Sequence, residues 1–212
     1  AGVGVGVSGH MINVNANGSE TPYTGSETDT SLTSVSVSEE SFIGSYYLEL
    51  TMGEMNNWAV GFEAIPGSAD VTDKTQTRTD TEKSVTGTVT EPSNSRDFKA
   101  NAEVEDFKVL YAEIPLGPFY VRGGVSEITV NTKEVASGDG ASYGNATLNG
   151  TQWGVGVKGI IAERVRYKVG YEVNDFSSLS LTSTNNSVSG ETNKLTAALD
   201  TKSFKVGLGV QF

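Results

Sequence analysis

The chain has 212 residues, a formal net charge of -11 and no cysteine. The negative charge argues against nucleic acid as a partner, and the lack of thiols excludes disulfides and thiolate metal sites. No apolar run reaches the roughly 18 residues that a membrane-spanning helix needs. The length predicts a single domain over residues 1–212. The first residues, AGVGVGVSG, already have the pattern of a strand, as expected for an exported protein after processing.

Eight segments alternate between apolar and polar residues, and a period of two predicts β-strands. In chain order they are 1–14, 40–52, 57–65, 101–114, 119–131, 151–161, 165–178 and 197–212. At about 9–16 residues they exceed the roughly 5–6 residues usual in soluble proteins, and they are long enough to cross a bilayer as tilted strands.

The connections between these segments alternate in length. GEMNN, PLGP and AER join the second to the third, the fourth to the fifth and the sixth to the seventh segment, and the other connections are long and polar. Outer-membrane barrels have this asymmetry, whereas a soluble sandwich has no reason for it. We therefore predict an all-β fold, a closed antiparallel eight-stranded up-and-down transmembrane β-barrel with short periplasmic turns, long extracellular loops and both termini periplasmic. The threonine-rich stretch 71–90 is expected to extend the third and fourth strands as a hairpin.

The content of the two strand faces predicts which face is inside. In the first strand Val3, Val5 and Val7 share one face and glycines share the other. Glycine is costly in a strand interior unless space is short, and space is short in the lumen of an eight-stranded barrel. Glycines and single charges are therefore expected inside, and large apolar side chains outside against lipid.

Charged side chains on the inward face should form cross-strand pairs of opposite sign. We expect two salt bridges, Glu63–Lys108 and Glu172–Lys205. Glu49 is expected to meet a surplus of cations, which leaves room for water or an anion. The predicted lumen charge network is Glu49, Glu63, Lys108, Arg122, Lys158, Arg166, Lys168, Glu172 and Lys205.

The fourth strand is the least regular of the eight. Its alternation places Phe107, Val109 and Tyr111 outward together with Glu113, and a bulge near the following turn is expected. Aromatic rings near strand ends or on the outward face favour the headgroup level of a membrane. The predicted aromatic girdle is Tyr46, Trp58, Phe119, Trp153 and Tyr167.

The last nine residues, FKVGLGVQF, alternate down to an aromatic side chain. With this segment and the hairpin rhythm, the chain resembles the small eight-stranded outer-membrane β-barrels of Gram-negative bacteria, which include the OmpA transmembrane domain, OmpX and the opacity-type proteins. The resemblance implies an outer-membrane location, lipid and lipopolysaccharide as surroundings, and a recognition signal for the barrel-assembly machinery. The residues of that signal would be Phe204, Val206, Leu208, Val210 and Phe212.

Three functions remain open from the sequence. Charges that fill the lumen favour a structural or adhesin-like surface protein, whose long polar loops meet a surface partner or a second copy. A narrow low-conductance channel is the alternative. A lipid A-modifying enzyme is less favoured, because the one histidine, His10, follows Ser8 on the inward face near the outer end of the first strand. We expect no enzyme activity, no cofactor and no metal.

Overall fold

The computed structural model describes residues 2–24, 33–52, 58–71, 76–82, 94–136, 142–184 and 192–212. This part of the chain contains no helix that is long and apolar enough to cross a membrane. Its strands are β1 Gly2–Thr24, β2 Thr33–Thr51, β3 Ala59–Asp70, β4 Gln76–Glu82, β5 Asn94–Leu116, β6 Phe119–Ala136, β7 Ala146–Ala162, β8 Val165–Phe176, β9 Leu179–Thr182 and β10 Thr192–Gln211.

The strands form one closed antiparallel barrel. Sequential neighbours pair from β1 through β3 to β5 and on to β8, β8 pairs with β10, and β10 returns to β1. The closing ladder runs from Gly4↔Gln211 to Thr24↔Thr192. The short strands β4 and β9 continue the line of β3 and β8 and pair with β5 and β10. Eight strands, with β3 and β4 counted as one and β8 and β9 as another, therefore surround one lumen, which confirms the predicted closed antiparallel eight-stranded barrel.

Within the described residues, two tight turns lie at the end of the barrel that also holds Gly2 and Phe212. The predicted short turn at 53–57 lies outside the described residues. Gly117, with φ of 67°, and Pro118 join β5 to β6, and Glu163 and Arg164 join β7 to β8. At this end Phe212 and Val3 exchange backbone hydrogen bonds of 2.8 and 3.1 Å. The first and last strands therefore seal the barrel down to its turn end.

Several strands are longer than the sequence pattern predicted. β1 continues to Thr24 instead of residue 14, β2 begins at Thr33 instead of residue 40, and β5 begins at Asn94 instead of residue 101. Segments assigned to loops are therefore partly barrel wall. Part of the predicted hairpin extension at 71–90 is present, because β4 pairs with residues 94–100 of β5, which lie beyond the predicted stretch. Residues 72–75 and 83–90 lie outside the described part of the chain.

The barrel has two sections with opposite inside–outside polarity. The turn-end section consists of residues 2–11, 42–52, 58–64, 109–126, 151–173 and 203–212, and the loop-end section consists of the other described residues. In the turn-end section the outer face is apolar, and Val7 and Phe42 are 63% and 82% exposed. In the loop-end section the apolar side chains turn inward, and Ile12 and Val14 are 5% and 1% exposed.

A bulge in β5 changes which side chains of that strand point into the lumen. The register with β6 shifts between Glu105 and Lys108, and Asp106 lies there with φ of 55°. Beyond the bulge Phe107, Val109 and Tyr111 are buried inside. The predicted outward placement of these three residues is wrong, because the irregularity lies at Asp106 and not near the turn.

Candidate functional site

The lumen of the turn-end section holds an ion network of four acids and four bases. Every member lies on an inward strand position, and the side chains of the salt-bridged groups are between 0 and 13% exposed. The members are Glu49, Glu63, Glu113 and Glu172 with Arg122, Lys158, Lys168 and Lys205. Their formal charges sum to zero, so the network is charge-balanced within the barrel.

One half of the network is a closed ring of two acids and two bases. Arg122 donates from its two terminal nitrogens to Glu63 and Glu172, each at 2.7 Å. Lys205 donates to the same two carboxylates at 2.6 and 3.2 Å. Each acid therefore faces two cations, which compensates for removing these charges from water. The predicted Glu172–Lys205 bridge is present in the structure.

The other half of the network is a chain centred on two lysines. Lys158 donates to Glu113 at 2.7 Å, and Lys168 donates to the other oxygen of Glu113 at 2.9 Å. Lys168 also donates to Glu49, which accepts a further hydrogen bond from Tyr111 at 2.6 Å. The expected surplus of cations around Glu49 is therefore wrong, because Lys158 pairs with Glu113 and Lys168 is shared between Glu113 and Glu49.

Aromatic rings fill the space between the charged groups. The Arg122 guanidinium lies 3.3 Å from the ring centre of Tyr111. The ring of Tyr47 lies 5.4 Å from the Lys168 ammonium, and that of Tyr120 lies 5.8 Å from it. Both distances are within the range of cation–π attraction.

Glycines provide the room for these rings. A side-chain carbon at Gly156 would lie 2.6 Å from the Tyr120 ring, and one at Gly6 would overlap Tyr47. The glycine-rich inward face thus follows from the size of the tyrosines that it opposes.

Two charged residues of the predicted network differ from the others. Lys108 is on the outer face, where it lies 3.6 Å from Glu127 and both side chains are almost half exposed. The predicted Glu63–Lys108 bridge is wrong, because the β5 bulge turns Lys108 outward and Glu113 inward. Arg166 lies on the inward side of β8 near the turn and is partly exposed.

Glu113 is the network member that the sequence interpretation missed. It is completely buried. The signal was present in the chain, because Leu110 and Ala112 are apolar and alternate with Tyr111 and Glu113. Assigning that strand by its lipid-type face would have placed Glu113 inside.

His10 belongs to a small buried cluster beside the ring of charges. Its Nε2 lies 2.8 Å from the Ser45 hydroxyl and 3.1 Å from Glu63, and Ser45 donates to Glu63 at 2.6 Å. A catalytic serine would donate to the histidine, and the acid would hold the opposite ring nitrogen. Here one nitrogen contacts both groups, and the cluster is closed to solvent. His10 also lies well inside β1, not near its outer end as expected.

Above the ion network the lumen is filled by apolar side chains. Ile12, Phe107, Ile128, Leu148 and Leu199 are all at most 7% exposed and belong to one cluster. The rings of Phe107 and Phe176 meet edge to face at 5.8 Å. The lumen is thus filled by two successive layers, one ionic and one apolar.

The outer face carries most of the predicted aromatic and terminal residues. Tyr46, Trp58, Phe119 and Trp153 are between 51 and 58% exposed, and Tyr167 is half-buried. The terminal apolar residues all point outward from β10 or follow it. They are Phe204, Val206, Leu208, Val210 and Phe212. Their roles as a girdle and as an assembly signal stay predictions.

The residues that the structure describes contain no group of three or more side chains suited to hold a metal ion.

Solved structures provide an independent comparison for the fold. The outer membrane protein OprG from Pseudomonas aeruginosa is 14% identical, and the match covers 100% of this chain and 96% of that chain with a TM-score of 0.51. The fold is that of an outer-membrane β-barrel.

Two further structures are more distantly similar. The outer membrane protease OmpT from Escherichia coli is 10% identical over 100% of this chain and 97% of that chain, with a TM-score of 0.47. Ail, the attachment invasion locus protein of Yersinia pestis, is 11% identical over 96% and 98%, with a TM-score of 0.39. No family model matches the chain, and no curated protein matches it significantly.

Proposed function

We propose that the chain is an integral outer-membrane protein of a Gram-negative bacterium, and that its turn-end section is the part within the bilayer. Val3 to Met11 of β1 present apolar side chains or glycine outward. At about 3.4 Å per residue and a tilt near 40°, these nine positions cover roughly 20 Å of height, close to the apolar band of roughly 25 Å on such barrels. The fold of OprG supports the same placement.

The barrel is proposed to be closed to solutes. The observation that carries this proposal is the double filling of the lumen, with the charge-balanced network in one layer and the apolar cluster in the next. An ion that entered from the loop end would lose its hydration among Ile128, Leu148 and Leu199 before it met any charge. The protein is then a rigid anchor that displays the loop-end section, which we place outside the cell, with the short turns and both termini in the periplasm.

This arrangement gives the proposed protein a structural or surface-interaction role. Its surroundings would be outer-membrane lipid and lipopolysaccharide, and the barrel-assembly machinery would insert it. An enzymatic role has no support in the cluster at His10, because Ser45 is buried and its hydroxyl donates a hydrogen bond to Glu63. We therefore propose no reaction for this chain.

Conductance in planar bilayers tests the closed lumen. The full chain, refolded and inserted, should give no discrete current steps in concentrated salt. Discrete, reproducible steps would overturn the proposal in favour of the narrow channel.

Fluorescence quenching tests the membrane placement separately. Trp58 and Trp153 are on the outer face of the turn-end section. Lipids brominated on their acyl chains should quench both residues in vesicles. Unquenched emission from protein that has nevertheless folded would contradict the placement.

A further inference from the structure

The barrel wall is continuous around the turn-end section, but in the loop-end section the described strands leave an opening between β2 and β3. The β2–β3 ladder runs only from Thr51↔Ala59 to Tyr46↔Ala64. Beyond it β2 stays paired with β1, and β3 stays paired with β5. Among the described residues, no strand pairs with β2 on its β3 side over residues 36–45.

A cavity of about 400 Å³ occupies this opening. Its lining includes Glu39, Phe42 and Ile43 from β2 and Gly67, Ala69 and Asp70 from β3. Ile43 and Ala69 pack against the apolar cluster of the lumen. The opening therefore leads from the outer surface to the edge of the apolar layer.

The two edges of the opening differ in their capacity to bind another strand. The β3 edge is interrupted, because Pro66 has no N–H, Gly67 has φ of 98° and the register shifts between Ile65 and Ser68. Proline and bulges are common means of blocking an edge. The β2 edge is regular, and in antiparallel pairing about every second residue of 36–45 directs its N–H and C=O towards the missing neighbour.

The opening is also acidic. Among the described residues that line it are Glu39, Glu40 and Asp70, and none of these described residues is a lysine or an arginine. On the adjoining β5, Glu105 is opposite Ser68, and Asp106 is exposed. Neither Glu39 nor Glu40 has a salt bridge within the described part of the chain. Lys133 of β6, which pairs with Glu103, is the counter-charge close to Asp70 and Glu105. Among the described residues, the acids of the opening without an ion-pair partner are therefore Glu39 and Glu40 on the β2 edge.

We propose that the β2 edge at 36–45 binds an extended basic segment of a partner protein by strand addition. The backbone edge supplies the ladder hydrogen bonds, and alternate side chains are read by the two sides of the opening. Inward side chains of the added strand meet Ile43 and Ala69, so small apolar residues fit there. Outward side chains lie beside Glu40, so lysine or arginine fits there.

A second copy of this chain is a poorer occupant. Each copy carries a net charge of -11, and a symmetric contact would bring two acidic edges together. The partner is therefore a basic chain with alternating apolar residues. This inference rests on the proposed exposure of the loop-end section at the cell surface.

The test uses the full chain refolded in detergent micelles, where strand binding can be measured without membrane insertion. The probe is a short fluorescent peptide in which lysine and valine alternate, and anisotropy reports its binding. Hydrogen exchange at 36–45 should slow when it binds. The same peptide with alternate amides N-methylated should bind at least about tenfold more weakly, because it cannot complete the ladder.

Two charge variants separate the site from general attraction. Glu40→Lys should weaken binding about five- to tenfold, because an attraction becomes a repulsion at the edge. Glu163→Lys makes the same charge change at the turn end and should leave binding unchanged. Equal binding of the methylated peptide, equal effects of both variants or no binding at all would each overturn the proposal. Quenching of Trp58 in vesicles would still report on the proposed membrane placement alone.

Discussion

The two sections of this barrel fill their interiors with opposite kinds of side chain. In the turn-end section charges and tyrosines fill the interior and valine, leucine and phenylalanine face outward. In the loop-end section isoleucine, valine and leucine fill the interior and Asn13, Ser38 and Thr129 face outward. A single strand passes through both sections, since β6 places Arg122 in one interior and Ile128 in the other. Under the proposed placement in the membrane, this difference follows the outer medium, which is lipid around the turn-end section and water around the loop-end section.

Loss of a buried charge should have the largest effect. Arg122→Met leaves Glu63 and Glu172 with one cation in place of two, and removing one partner from a buried pair costs about 3–5 kcal/mol. Urea unfolding of the refolded barrel, followed by tryptophan emission, measures the change in the free energy of unfolding.

The matched control is Lys108→Met, whose exposed pair with Glu127 should contribute less than about 1 kcal/mol. If Arg122→Met were as mild as the control, the ion network would not be holding the turn-end section together.

In the apolar layer of the lumen, shortening a buried side chain should lower the free energy of unfolding. Ile128→Ala leaves a void in the loop-end cluster and should cost about 2–5 kcal/mol in the free energy of unfolding. Thr129→Ala, on the outward position next to it, should stay within about 0.5 kcal/mol. Equal effects at the two positions would remove the distinction between inside and outside in that section.

A cation on the outer surface should distinguish the two sections in vesicles. Leu208→Arg places charge on the apolar outer face, and we expect a cost of about 2–4 kcal/mol near the bilayer midplane. Thr147→Arg makes a comparable change on the outer face of the loop-end section and should be nearly neutral. A neutral Leu208→Arg in vesicles would mean that lipid does not surround the turn-end section.

The smallest effect concerns a pair in the loop-end section whose lysine, Lys133, is exposed and whose acid, Glu103, is partly buried. Hydrogen bonds from Lys133 and Ser68 hold the pKa of Glu103 below its usual value. A depressed carboxyl pKa stabilises the fold above the ordinary value of about 4.3, and that stability is lost as the pH falls through the folded pKa. Glu103→Gln should therefore be slightly destabilising at pH 7 and neutral at low pH in urea titrations. In a Lys133→Met background most of the difference should vanish; a full-sized difference there would assign the shift to another group.

The sequence predicted the turn-end section well because two signals coincide there. Alternation and glycine content both mark the inward face, so Arg122, Lys168, Glu172 and Lys205 were placed correctly. The fourth predicted strand failed because one irregular residue, Asp106, reverses the phase of everything after it. The period-two alternation of the sequence does not reveal where such a residue lies, and the prediction therefore places Lys108 in the lumen instead of Glu113.

The loop-end section was harder to predict because its strands resemble loops in composition. Asn13, Asn15 and Ser38 are turn-type residues, yet they pair across strands, with Asn13 and Asn15 donating to Ser38 and Asp200 at 3.0 Å each. The sparse apolar residues between them carry the strand signal. Only their partners across the lumen, far away in sequence, show that they form a core.

The reversal of inside–outside polarity along the strands has a consequence for the assembly of the barrel. Sliding one strand by a single residue against its neighbour would turn every side chain beyond that point to the other surface. Under the proposed membrane placement such a slip would be unfavourable at two levels, because charged groups would face hydrocarbon in the turn-end section and apolar groups would face water in the loop-end section. The order of residues along the strands therefore disfavours a barrel that closes in the wrong register.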